Sequence, residues 1–313
     1  MENKTAMTEF SLLGFEVKQQ MQTVLLSLFS LMYIITLVGN IGMIVVITAD
    51  SHLHTPMYFF LKNLSFVDIC YSSAITPKAI SGLAMESKII SYNGCATQMF
   101  FYSLLATTEV FFLAAMAYDR FIAICNPLLY HAAMPKKTCL FLVSLSYCFG
   151  FLNSCTQTGL TFSLYYCESG KINQFFCDVP AVLKASCSDT YINEIVLLVI
   201  CGSIIMTTFT IVLVSYGCIV VTVLHMPSSQ RKFKAFSTCA SHIMVVSLFF
   251  GTAFFMYGQP EAMSSPNQGK VLSVFYTIAI PMLNPLIYSL RNKEVKDALG
   301  RHLKGVIFFT KLC

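Results

Sequence analysis

Charge is what this chain has least of. Asp, Glu, Lys and Arg make up 11% of its 313 residues and apolar residues 56%, whereas an ordinary soluble domain is about 25% charged. So much apolar surface does not fit into one soluble core of this length, which excludes a water-soluble globule and makes a bilayer the expected solvent. Other absences narrow the choice. The histidines (His52, His54, His131, His225, His242 and His302) show no ligand-like clustering, so neither a metal centre nor an enzyme is expected. Paired repeats with broken helices at matching positions, a mark of many transporters, are missing. No basic head with a small-residue cleavage site precedes the first apolar run, so that run is expected to act as an uncleaved anchor. No nucleic-acid partner is expected.

Where charge is scarce, apolar runs are long. Seven of them are long enough to cross about 30 Å of hydrocarbon at 1.5 Å per helical residue: roughly 23–48, 58–80, 96–120, 138–158, 195–223, 236–258 and 269–290. The first, fourth, fifth and sixth are the clearest. The second carries Asp68, the third Glu109, and the seventh is interrupted by Pro281 and Pro285. The expected fold is an all-α membrane protein, one seven-helix bundle over residues 23–290. Residues 1–22 precede it, a lid loop of about 159–194 interrupts it, and a tail of 291–313 follows.

Lys and Arg in the short loops set the orientation. With the N-terminus outside, thirteen basic residues lie inside, among them Lys62, Lys136, Lys137, Arg231 and Lys234, against seven outside. Acids lean the other way, from Glu86 to Asp178, Asp189 and Glu261. The N-terminus is therefore expected outside and the tail in the cytoplasm, where basic residues can also meet anionic headgroups. Asn3-Lys4-Thr5 is then a glycosylation sequon on the exposed side, with Asn3 the expected acceptor.

Of thirteen cysteines, eight fall in or beside apolar spans, where a reduced thiol acts as a small hydrophobe. Cys95, Cys167, Cys177 and Cys187 lie on the oxidising face. Four cysteines allow three pairings, and spacing does not choose among them. The lid they share is too long for a simple connector.

Ionisable groups in hydrocarbon cost several kcal/mol, so Asp68 and Glu109 should face the bundle interior and find partners. Asn40 and Asn284 are candidates to share a polar cluster with them. At the end of the third span the pair Asp119-Arg120 puts two charges where hydrocarbon meets water.

That pair sits in Met116-Ala-Tyr-Asp-Arg-Phe-Ile-Ala-Ile-Cys125, which resembles the cytoplasmic end of helix three in odorant receptors, a family of rhodopsin-like G-protein-coupled receptors. Further segments match in order on the right spans. Gly39-Asn40 lies in span one, and Leu53-His-Thr-Pro-Met-Tyr-Phe-Phe-Leu61 leads into span two. Ser215-Tyr216 falls in span five, Lys234-Ala-Phe-Ser-Thr-Cys-Ala-Ser-His242 opens span six, and Pro281-Met-Leu-Asn-Pro-Leu-Ile-Tyr288 closes span seven. The chain has no tryptophan, so span six lacks the Trp-containing switch of other rhodopsin-like receptors and reads Ser247-Leu-Phe-Phe-Gly-Thr-Ala-Phe-Phe-Met-Tyr257. Glu109 replaces the small polar residue of most non-olfactory relatives.

The resemblance implies a plasma-membrane receptor of olfactory sensory cilia that binds an odorant and raises cyclic AMP through a stimulatory, olfactory-type G protein. It implies disulfides Cys95–Cys177 and Cys167–Cys187, and a sodium-type cation site around Asp68 that Glu109 would extend. The bland alternative there is packing of polar groups. It also implies that Arg120 is freed toward the G protein as helix six moves, with Asp119, Tyr216, His242, Asn284, Pro285 and Tyr288 in the same machinery. Pro285 should also bend span seven beside Asn284.

No acid occupies the outer third of span three, which reads Tyr102-Ser103-Leu104-Leu105-Ala106-Thr107, so hydroxyls among apolar walls are expected to bind a small, largely apolar ligand. Tyr102, Ser103, Ala106 and Thr107 share a face or its borders. Ile200 and Ile204 on span five, Ala253, Phe254 and Tyr257 on span six and Thr277 on span seven complete the expected pocket. Tyr257 is its strongest candidate, because a buried phenol needs a polar partner. For each of them, plain helix packing is the competing reading.

Overall fold

The computed structural model describes residues 8–15, 17–85, 88–166, 170–258, 266–291 and 294–301. Seven long helices form: α1 (Gln19–Ala49), α2 (Pro56–Ala84), α3 (Tyr92–Cys125), α4 (Lys136–Phe162), α5 (Tyr191–His225), α6 (Ser229–Gly258) and α7, which runs as α-helix over Pro266–Val274, π-helix over Phe275–Ala279 and α-helix again over Ile280–Arg291. A short α8 follows over 294–301. All seven expected spans are helical, and most run several residues past the apolar core.

Among the described residues, α1, α3, α4, α5 and Gly269–Ser289 of α7 are long and apolar enough to cross a membrane. Within span six the stretch Cys239–Phe254 is likewise an apolar helix. The outward faces are apolar: Val38 of α1, Leu198 and Met206 of α5 and Leu140 of α4 are all exposed. Such surface suits hydrocarbon and is costly in water.

Local signals set the helix starts. Pro56 stands at the first position of α2, where its missing N–H is no loss, and Ser91 caps α3 by accepting from the Gly94 N–H at 3.1 Å. At the far end Asp50 accepts from Arg301 Nε at 3.1 Å, and Tyr58 donates to Glu294 at 2.7 Å, tying α8 back to α1 and α2. The Arg301 guanidinium beside Asp50 holds its carboxyl down at about 2.

Two glycines allow close helix contacts. A Cβ on Gly150 of α4 would come within 2.6 Å of the Leu104 carbonyl oxygen of α3, and beside it Ser154 donates to the Phe100 carbonyl at 2.5 Å. A Cβ on Gly39 of α1 would meet the Pro285 ring of α7 at 2.9 Å. Pro285 has no N–H to give the carbonyl of Pro281, four residues before it. The neighbour of Gly39 fills the gap: Asn40 Nδ2 donates to the Pro281 carbonyl at 3.0 Å. The helical irregularity in α7 is the π segment Phe275–Ala279, while Pro285 sits inside a continuous α-helix. A π turn shifts the register of the side chains beyond it.

The chain before α1 forms a strand that the sequence did not announce. β1 (Glu9–Leu12) pairs antiparallel with β2 (Ile89–Ser91), Phe10 opposite Ile90, and parallel with β3 (Lys171–Ile172), Leu12 opposite Ile172. Phe10 seals this small sheet: buried, it stacks on Tyr92 at 5.7 Å and meets Tyr166 edge-on at 5.0 Å.

Asn40→Leu should leave the Pro281 carbonyl without a donor in a place water does not reach, lowering stability by about 1–3 kcal/mol. A fall in the melting temperature of purified receptor is expected. An unchanged melting curve would show the bond to be dispensable.

Candidate functional site

A cavity of about 130 Å³ opens between the helices at the lid end. Its size is near the ~150 Å³ of an apolar cavity able to hold benzene. Tyr102, Ser103, Ala106, Thr107 and Val110 of α3 form one wall. Leu197, Cys201, Ile204 and Ile205 of α5 form the next, and Phe249, Thr252 and Ala253 of α6 with Tyr276 of α7 face them. Tyr71 of α2 and Asn153 and Gln157 of α4 complete the sides, and Asp178, Val179 and Pro180 of the lid form the roof.

Six of the ten expected pocket residues therefore line this cavity: Tyr102, Ser103, Ala106, Thr107, Ile204 and Ala253. Ile200 is half-buried outside the lining, since Leu197, Cys201 and Ile204 hold the inward stripe of α5. Phe254 follows Ala253 by one residue, about 100° around the helix, and is 75% exposed. Thr277 is buried, but its hydroxyl turns back to the Ser273 carbonyl at 2.7 Å, and its neighbour Tyr276 reaches the cavity instead. The side chain of Tyr257 lies outside the described residues.

Sequence reasoning missed the α4 wall and the roof. Asn153 Nδ2 donates to Thr107 Oγ1 at 2.9 Å, so the α3 hydroxyl is held from α4. The roof is fixed by the disulfide Cys95–Cys177, and Gln98 accepts from the Cys177 N–H at 2.9 Å. Asp178 is the next residue. It precedes the short helix Val179–Leu183 without capping it through its side chain. Instead Asp178 is buried, 6% exposed, with the Tyr102 hydroxyl and the Val179 N–H beside its carboxyl, and burial pushes its pKa up to about 7. The signal was present in the sequence: a cysteine bridged to the top of α3 delivers its neighbour over the pocket. Cys187 is also disulfide-bonded; Cys167, its expected partner, lies outside the described residues.

Deeper in the bundle Asn284 Nδ2 donates to both oxygens of Asp68, at 3.2 and 3.0 Å, and to Glu109 Oε1 at 3.4 Å. All three are buried. Asn40 stands apart from this cluster, committed to Thr36 and Pro281 of its own joint. At the end away from the lid, Asp119 accepts from the Tyr130 hydroxyl at 2.9 Å in the short helix Tyr130–Ala133. Among the described residues no ion pair joins Asp119 to Arg120, and the buried Nε of Arg120 has no hydrogen-bond acceptor. Tyr216 of α5 and His242 of α6 meet at 2.5 Å. Among the described residues the buried Tyr288 hydroxyl has no hydrogen-bond partner. Tyr216, His242 and Tyr288 all lie within reach of the Arg120 charge. Asn3 lies outside the described residues.

A family profile described as olfactory receptor matches residues 29–305. The chain is 58% identical to human olfactory receptor OR9H1 over 97% of its own length and 99% of the relative's. It is also 58% identical to mouse olfactory receptor 9S13, covering 93% of this chain and 88% of that one. The fold resembles the crystal structure of squid rhodopsin with a TM-score of 0.73, at 17% identity, over 94% of this chain and 88% of that one.

Non-reducing peptide mapping should recover Cys95 and Cys177 in one cross-linked fragment. Cys177→Ser should destabilise the receptor by about 2–4 kcal/mol, since the bridge closes a long loop. A Cys177→Ser receptor with wild-type thermal stability and ligand potency would mean that the roof holds without it.

Proposed function

The chain belongs to the olfactory receptor family, and we propose that it binds a small, largely apolar volatile ligand in the lid-end cavity. By this proposal it signals through a stimulatory, olfactory-type heterotrimeric G protein to raise cyclic AMP. Membership makes it a multi-pass plasma-membrane receptor with an odorant ligand and a G-protein partner, and its relatives are not enzymes. The observation that carries the ligand class is the cavity: aliphatic and aromatic walls interrupted by the hydroxyls of Tyr102, Ser103 and Thr107. Walls of this kind favour an apolar body with one or two hydrogen-bonding groups.

In the proposed orientation the N-terminus, lid and a glycan on Asn3 are outside, the tail is cytoplasmic, and the membrane is that of olfactory cilia. The excess of Lys and Arg away from the lid supports it. Ligand binding then favours one of two pre-existing forms of the bundle. The polar groups around Arg120 (Tyr216, His242, Tyr288) repack as α6 moves, and Arg120 becomes available to the G protein. Asp119, held by Tyr130, anchors the adjoining loop. Sodium is proposed as a modulator at Asp68 and Glu109, since carboxylate oxygens are the donors a hard cation takes. Asn284 would hold both carboxylates in place. The second lid bridge is proposed as Cys167–Cys187.

Cells displaying the receptor and challenged with a panel of volatiles should raise cyclic AMP, and Arg120→Ala at equal surface level should drop the response to baseline. Solute flux without any G protein would instead mark a transporter. Ala106→Phe, which fills the cavity, should abolish responses to every agonist; retained potency would place the ligand elsewhere. Replacing sodium with a bulky organic cation should shift agonist potency in wild type and leave Glu109→Gln unmoved. Equal behaviour of the two would remove sodium from the scheme.

A further inference from the structure

Among the described residues, Asp178 in the roof is the one acid that lines the cavity. Asp residues at the start of a helix ordinarily accept from the second or third N–H. Asp178 occupies that position before Val179–Leu183 and makes no such cap. It is buried in the roof beside Tyr102, and both residues line the cavity. Among the described residues no Lys, Arg or His forms an ion pair with it. A carboxyl has about four lone-pair sites, more than the Tyr102 hydroxyl and the Val179 N–H beside it can fill. The other polar groups on the walls, hydroxyls and amides such as Ser103, Thr107, Asn153, Gln157 and Thr252, each carry a donor as well as an acceptor, and Thr107 is already engaged by Asn153. Asp178 is thus the strongest acceptor the ligand meets.

We propose that Asp178 is the polar anchor of the ligand cavity and selects small apolar molecules whose head group donates a hydrogen bond, primary amines and alcohols, over acceptor-only analogues of the same length. The inference rests on the cavity being the ligand site. The lack of an acid in the outer third of α3 does not rule out amines, because the carboxyl arrives from the lid. The Cys95–Cys177 bridge, one residue away, ties the roof that carries it to the top of α3, whose Ser103 and Ala106 line the same cavity. The Tyr102 hydroxyl beside the carboxyl can orient it and still leave lone pairs to the ligand. A donor head group favours the ionised form of the carboxyl, and a charge-assisted hydrogen bond in a site that excludes water is a strong one, so one such contact is enough to rank otherwise similar ligands.

The test uses the full-length receptor in cells and four matched series of straight-chain volatiles: amines, alcohols, methyl ethers and ketones. The readout is the ratio of donor to acceptor-only potency within each receptor, in which a uniform change of surface level cancels. Wild type should prefer the donors, and Asp178→Asn, whose amide can itself donate, should reduce that ratio by about tenfold or more or invert it. If Asp178→Asn does not reach the surface, Asp178→Ser is read by the same ratio, which should fall toward one. An unchanged ratio in the variant overturns the proposal, as does a wild type silent to every amine and alcohol. Ala106→Phe separates the two levels. If it abolishes all responses while Asp178→Asn leaves the ratio intact, the cavity stands and the anchor fails. If it leaves all responses intact, the cavity itself is not the ligand site.

Discussion

One amide joins three helices at the centre of this bundle. Asn284 of α7 donates to Asp68 of α2 and to Glu109 of α3, in surroundings where water offers no alternative partner. Hydrocarbon solvates neither charge nor backbone dipole, so each polar group within it must be answered by another part of the protein. That constraint orders the rest of the molecule. It places both carboxyls inward, brings α2, α3 and α7 together, and leaves the apolar faces of α1 and α5 to the lipid. The same rule explains the joint one turn away, where the Pro281 carbonyl released by Pro285 is met by Asn40 and the approach is allowed by the absent side chain of Gly39.

α3 connects the two ends. Its lid-end residues Tyr102, Ser103, Ala106 and Thr107 line the cavity, Glu109 joins the central cluster, and Asp119 and Arg120 close its far end. α4 steadies this rod through Gly150, Ser154 and Asn153, all of which contact or closely approach α3. A change in the cavity and a change around Arg120 are therefore changes on one helix, braced along its length. The lid acts from above: a disulfide, a three-stranded sheet that takes in the N-terminal segment, and the Phe10–Tyr92–Tyr166 aromatic cluster hold the roof in register with the top of α3. A roof so constrained can carry a ligand contact as reliably as a helix does, which is why Asp178 ranks with the α3 hydroxyls as a determinant of selectivity.

Much was legible before any coordinates, and the reasons differ by residue. The seven helices followed from composition, because hydrocarbon demands long apolar runs and only closed hydrogen-bonding within each run satisfies the backbone. The Asp119-Arg120 segment and the cavity-facing stripe of α3 followed from spacing and resemblance. What was missed depends on rotation and on long-range contact. Phe254 and Ala253 are one residue apart, and only packing against α5 and α7 decides that Ala253 turns inward. Ile200 gave way to Cys201 for the same reason. Asn40 looked like a member of the Asp68 cluster, yet a proline four residues past a carbonyl on another helix claimed it. Asp178 was read only as a charge that orients the chain in the membrane; the disulfide beside it turned it into part of the site.

The sequence by itself determined the solvent, the number of spans and the identity of the groups that must be buried, since these depend on how much charge and hydrocarbon each stretch contains. The tertiary structure alone decided which face of each helix looks inward, where the N-terminal strand docks and which carboxylate reaches the ligand. Those choices arise from contacts between residues tens to hundreds of positions apart, such as Cys95 with Cys177 and Asn40 with Pro281, and no local pattern encodes them.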